Sequence, residues 1–139
     1  MRSIFSLVLL LPLSACVAEG EPRGKDLGRK VAQPAIDYQG PRLQASIDGS
    51  QLAVDVQVHS GGFGLALLRT LAGDGHVRVE LELTSPAEGE IVTTAEQTKK
   101  LRAALPEGAD PVWVHVRQVQ RGAHYLVAPA LDLAVVVTR

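Results

Sequence analysis

From Arg42 onward, apolar and polar residues change places at nearly every position. Leu43, Ala45 and Ile47 alternate with polar neighbours, and Asp48-Gly49 follows where a hairpin would turn. Leu52, Val54, Val56 and Val58 share one face, and Asp55, Gln57 and His59 take the other. Val77, Val79, Leu81 and Leu83 repeat the pattern against Arg78, Glu80 and Glu82. Val112, Val114 and Val116 do so against Trp113, His115 and Arg117, and Leu131, Leu133, Val135 and Val137 complete the set. Side chains on a strand switch face at each residue, so this period predicts half-buried antiparallel strands. Turn residues fall between them: Gly73-Asp74-Gly75, Pro86 to Gly89, Pro106 to Gly108 and Arg121 to Ala123. The expected fold is an antiparallel β-sandwich, immunoglobulin-like, or a small barrel, of about seven strands.

Two segments break the period. HSGGFGLALL, from His59 to Leu68, places three glycines around Phe63. Glycines after a strand mark a bulge or corner, with Phe63 plugging the end of the core. They equally permit a binding edge whose exposed backbone receives a partner. The second segment, Thr93 to Gly108, carries two overlapping capping patterns, Thr93-x-x-Glu96 and Thr94-x-x-Gln97, and is rich in helix formers. That favours one short helix near 94–105. Its apolar residues nevertheless fall on odd positions, among them Leu101, Ala103 and Leu105, which suits a strand.

The chain opens MRSIFSLVLLLPLSAC. Arg2 precedes a ten-residue apolar run, Ile4 to Leu13, half of the ~20 residues a spanning helix needs. This is the pattern of a secretory signal peptide over 1–15. Leu13-Ser14-Ala15-Cys16 resembles the bacterial lipobox, which implies cleavage before Cys16, diacylglycerol on its sulfur and a fatty acyl chain such as palmitate on its amino group. Two or more chains give stable anchoring where one does not. Cys16 is the only cysteine, so no intramolecular disulfide forms. Val17 follows it. Resemblance to enterobacterial sorting rules then implies the outer membrane, with the protein facing the periplasm. Residues 16–41 are rich in Gly, Pro and charge and read as a tether, with docking of Val31 to Tyr38 as an edge strand the alternative. Residues 42–139 form the domain.

The 124 residues from Cys16 onward carry a formal charge of −2, since only Arg2 is lost with the leader. That is one domain's worth of chain, without the basic balance of a nucleic-acid surface. None of Ser46, Ser50, Ser60 and Ser85 sits in a Gly-x-Ser-x-Gly elbow, and His59 and Ser60 point to opposite strand faces. His59, His76, His115 and His124 lack metal-ligand spacing, although His59 and His115 could meet if their strands paired. Glu80 and Glu82 lie about 7 Å apart on one strand face. A solvated, aggregation-blocking face explains them, with Arg78 beside them. The expectations are therefore no catalytic residue, no metal and no cofactor.

A resemblance covers about half of the mature chain. SGGFGLAL (60–67), VRVELELTSPAEGEIVTTA (77–95) and VWVHVRQV (112–119) are similar to the C-terminal β-domains of bacterial protease-complex stabilising (PrcB-like) lipoproteins. The matching positions are Gly61, Gly62, Phe63, Pro86, Gly89, Val92, Thr93 and Ala95, with a departure at Thr94. The resemblance implies a strand from Glu90 to Leu101 and a non-catalytic domain that stabilises a partner.

The functional expectation is a lipid-anchored envelope lipoprotein that binds another protein of the envelope. Cys16 is its lipidation site, and Phe63, Trp113, His115 and Arg117 are its candidate partner-binding residues. The alternative is a periplasmic binder of a small ligand or peptide, with its pocket near Phe63 and Trp113.

Overall fold

A computed structural model describes residues 33–139 as an all-β sandwich. The signal peptide and Cys16 lie outside the described residues. The strands are β1 (Leu43–Asp48), β2 (Gln51–Val58), β3 (Gly64–Gly73), β4 (His76–Ser85), β5 (Gln97–Ala104), β6 (Val112–Gln120) and β7 (Leu131–Val137). One sheet has the order β1-β2-β5 and the other β3-β4-β6-β7, so the strands do not close into a barrel.

The alternation explains the core. Val54, Val56 and Leu52 of one sheet and Val79, Leu81, Val112, Val114 and Val116 of the other are fully or almost fully buried. At ~25 cal/mol per Å² of apolar surface, this valine-rich seam is the main favourable term holding the two sheets together. Tight turns set the registers. Asp48 pairs with Gln51 across a two-residue loop that opens on Gly49 at φ 60°. Gly73 pairs with His76 across Asp74-Gly75, both at positive φ, which matches the right-handed twist of a hairpin.

The structure departs from the sequence reading in three places. Thr93 to Gly108 holds no helix; its centre is strand β5, paired antiparallel with β2. The strand begins at Gln97, seven residues later than the resemblance implied. Its odd positions Leu101 and Ala103 share the buried face with Val54 and Leu52, and that packing outweighs local helix propensity. Second, β4 and β6 run parallel, because β5 crosses to the other sheet between them. Third, a bulge between Val114 and His115 splits β7. Val135 and Val137 stay inside, whereas Leu131 and Leu133 share the outer face with Arg117 and His115.

The chain reaches the sandwich before Arg42. Gln33 N donates to Val136 O and Asp37 N to Leu133 O, so this stretch runs antiparallel along β7. Tyr38 is buried with the core, its hydroxyl lacking a partner among the described residues, and desolvation pushes its pKa up to about 12.

Candidate functional site

Parallel β4 and β6 end side by side, with Ser85 opposite Gln120. Their loops, Pro86 to Glu96 and Arg121 to Ala130, therefore leave from the same end of the sandwich. The glycine corner from His59 to Phe63 joins them there, since β3 starts with Gly64 opposite Thr84.

These three loops are cross-braced. Arg121 Nη1 donates to Glu90 Oε1 at 2.7 Å, and its Nη2 to Gly62 O at 2.9 Å. Arg121 N donates to Ser85 O, and Gly61 N to Thr93 O at 2.8 Å. Glu90 also accepts from Ala87 N at 2.9 Å, closing its own turn. Gln120 N donates to the Tyr125 hydroxyl at 2.8 Å. The glycines are required by close approach. A Cβ on Gly62, whose φ is +82°, would stand 2.7 Å from Val92 and 2.9 Å from Pro86. The opening corner is thus a packed junction, and Phe63 sits half-buried against the core with its ring edge-on to His59.

Above this braced base the loops hold apolar side chains in water. Ile91 is 99 % exposed, Leu126 106 % and Val127 82 %, with Tyr125 half-exposed beside them. Nothing in the alternation pattern marked these residues. The one available signal was Tyr-Leu-Val-Ala, an apolar run between a turn glycine and Pro129 that no strand absorbs. Arg121 and Glu90, which hold the loops, were also missed.

The sequence-derived candidates are not brought together. Phe63 lies at the loop end. Trp113 begins β6 at the opposite end, opposite Arg78, and its ring stacks on His76 with centroids 4.3 Å apart. His115 and Arg117 follow on the same outer face, but Arg117 is ion-paired and His115 is buried, its Nδ1 without a partner among the described residues. Arg117 Nη2 donates to Glu82 Oε2 at 2.6 Å. His115 is buried beside Glu80, and desolvation followed by the charge of Arg78 lowers its pKa. Glu80, expected on a solvated face, is only 2 % exposed. Arg69 Nε donates to its carboxylate, and Arg78 Nε stands 2.8 Å away without the alignment of a hydrogen bond. The Arg69 hydrogen bond, aided by the charges of Arg78, Arg69 and His115, holds the Glu80 pKa below its ordinary value against the cost of burial. His59 lies just past the end of β2, and His115 lies on β6 of the other sheet, so the two do not pair. Among the described residues, no three metal-ligating side chains converge.

A separate groove of about 640 Å³ crosses the outer face of the three-stranded sheet. It is lined by Gln44, Ser46, Asp55, Lys100 and Arg102 and walled by Gln33 to Ala35.

Comparison with protein-family models, with curated proteins and with solved structures finds no match to this chain.

Proposed function

We propose that this chain is a lipid-anchored protein of the bacterial envelope that binds another envelope protein, stabilising or inhibiting it without catalysis. The observation that carries the reading is the apolar crown of Ile91, Tyr125, Leu126 and Val127 on loops locked by Arg121. Large apolar side chains held in water on a braced scaffold are what a desolvated interface uses, because little ordering entropy remains to be lost on docking. Exposed Glu88 and Glu96 lie in the same loops, which suits a protein partner with a basic rim and disfavours anionic lipid headgroups. Geometry agrees. The described chain enters along β7 at Val136, and β7 is about 23 Å long from that end to the crown. The crown therefore faces away from the anchored end. The 17 peptide steps from Cys16 to Gln33 span at most roughly 60 Å, enough to present it beyond the membrane surface. The resemblance to protease-complex stabilising lipoproteins points the same way.

The test is an envelope pull-down after crosslinking in intact cells. Wild type is expected to enrich one partner, and Leu126→Asp/Val127→Asp to lose it while remaining folded. Cys16→Ser loses it if anchoring is needed to bring the two together. Equal recovery with the crown variant overturns the reading.

The alternative is a small-ligand binder. Its support is the groove of about 640 Å³, within the ~300–1,000 Å³ typical of ligand sites, which neither Phe63 nor Trp113 lines, and a second cavity of about 530 Å³ that Phe63 lines and Trp113 does not. A stoichiometric small molecule in native mass spectra, lost with Ser46→Trp, would favour it.

A further inference from the structure

The four sheet edges are not protected alike. The β7 edge is covered by Gln33 to Asp37. The β1 edge faces β7 across the side of the sandwich. The β5 edge carries Lys99, Lys100 and Arg102, the kind of charge that blocks edge-to-edge pairing. The β3 edge faces β5 across the other side of the sandwich but carries no such row of charges. It is ten residues long, GLALLRTLAG, and is hydrogen-bonded to β4 alone. Leu67, Leu68 and Leu71 are each about two-fifths exposed, and the strand holds no proline and one charge. That charge, Arg69, is already turned to Glu80. A bulge bends the strand at Leu68, but pairing with β4 resumes at Arg69 and continues to Gly73. A long apolar edge of this kind draws in another strand.

We infer that the β3 edge is an acceptor for one extended segment of another protein, a strand alternating apolar with acidic residues. It would become the fifth strand of the β3-β4-β6-β7 sheet. The charge preference comes from β5, which approaches β3 along the open side of the sandwich. Lys99 shares the inner face of β5 with Leu101 and so points into that side, and Lys100 lies next to it on the outer face. Neither lysine has an ion-pair partner among the described residues. An incoming strand whose acidic side chains face inward meets Lys99 beside Leu67, while its outward apolar side chains cover Leu71 on the other face. A second copy of this chain fits worse. Pairing β3 with its own copy would bring Lys99 and Lys100 of one chain toward those of the other, and like charges oppose that approach. This edge is separate from the apolar crown, and the inference does not rest on it.

The test uses the full chain in detergent with two synthetic peptides, Ac-VEVEVEV-NH2 and Ac-VKVKVKV-NH2, read by amide hydrogen exchange. The acidic peptide is expected to slow exchange across 66–73 at least tenfold and the basic one less than twofold. Lys99→Glu/Lys100→Glu is expected to reverse that preference. Leu68→Lys is expected to abolish protection, with unchanged exchange in β2 and β6 showing that it folds. Leu126→Asp/Val127→Asp is expected to leave protection intact, so failure of the crown and failure of the edge are told apart. Equal protection by both peptides, or protection by neither, overturns the inference. So does slow exchange at 66–73 without peptide in a chain that sediments as a dimer, which would assign the edge to a second copy.

Discussion

Replacing Glu80 with alanine tests whether the outer face of the four-stranded sheet is structural. The carboxylate is 2 % exposed, accepts from Arg69 and sits against Arg78. Removing one member of a fully buried ion pair costs ~3–5 kcal/mol, because the other charge is left without solvent. Here the guanidinium side chains are 61 % and 36 % exposed and regain water when the carboxylate goes. The expected loss on Glu80→Ala is therefore smaller, about 2 kcal/mol, and it includes the cavity left by one methylene and the carboxylate. For a domain of this size that lowers the melting temperature by roughly 8 °C. Glu80→Leu refills the space and should lose less. The assay is urea unfolding followed by Trp113 fluorescence, repeated against pH. Because the folded pKa of Glu80 is depressed, its contribution is complete above the unfolded value of ~4.3 and is lost as pH falls through the folded value. The gap between wild type and Glu80→Ala should close below about pH 4. A Glu80→Ala protein within about 0.5 kcal/mol of wild type at pH 7 would refute the reasoning. It would mean that the row from Trp113 to Arg117 is free to bind.

Three further outcomes follow from the same structure. Gly62→Ala, at φ +82° and against Val92 and Pro86, should destabilise by about 1–3 kcal/mol and raise amide exchange in 86–96 and 121–127. Tyr38→Phe removes a buried hydroxyl that has no partner among the described residues and should raise stability by up to about 1 kcal/mol in thermal melts. It should also remove the loss of stability expected in wild type between pH 10 and 12, where the unfolded tyrosine ionises and the folded one does not. The lowered His115 pKa means the unfolded chain takes up a proton first as pH falls below ~6.5. Stability should decline from pH 7 to 5, less so in His115→Gln, by chemical denaturation at each pH.

The strands that could be read from the residues are those with one wet and one dry face. In β2 and β6 every second residue is apolar, and the sheet buries that set. Strand β3 was hidden because Gly64 to Gly73 is an edge exposed on both sides with a bulge at Leu68, so no period of two survives. Strand β5 was ambiguous because its lysines and alanines suit a helix, and only pairing with β2 decides. The parallel direction of β4 and β6 leaves no trace in alternation, which is the same for either direction. Glu80 was correctly placed on the outer face. Its burial arises sideways, from Arg69 and Arg78 on it and its neighbour strand, and periodicity along one strand carries no such information. The crown lies in segments that read only as turns, and its bracing joins residues as far apart as Gly62 and Arg121.

The most direct test of the central claim places a photo-crosslinking residue at position 126 or at position 113 of the full chain in living cells. The crown account predicts that position 126 joins a single envelope protein and that position 113, stacked on His76 at the far end, does not. Crosslinking from 113 with none from 126 would contradict it and return the binding surface to the outer face of β6.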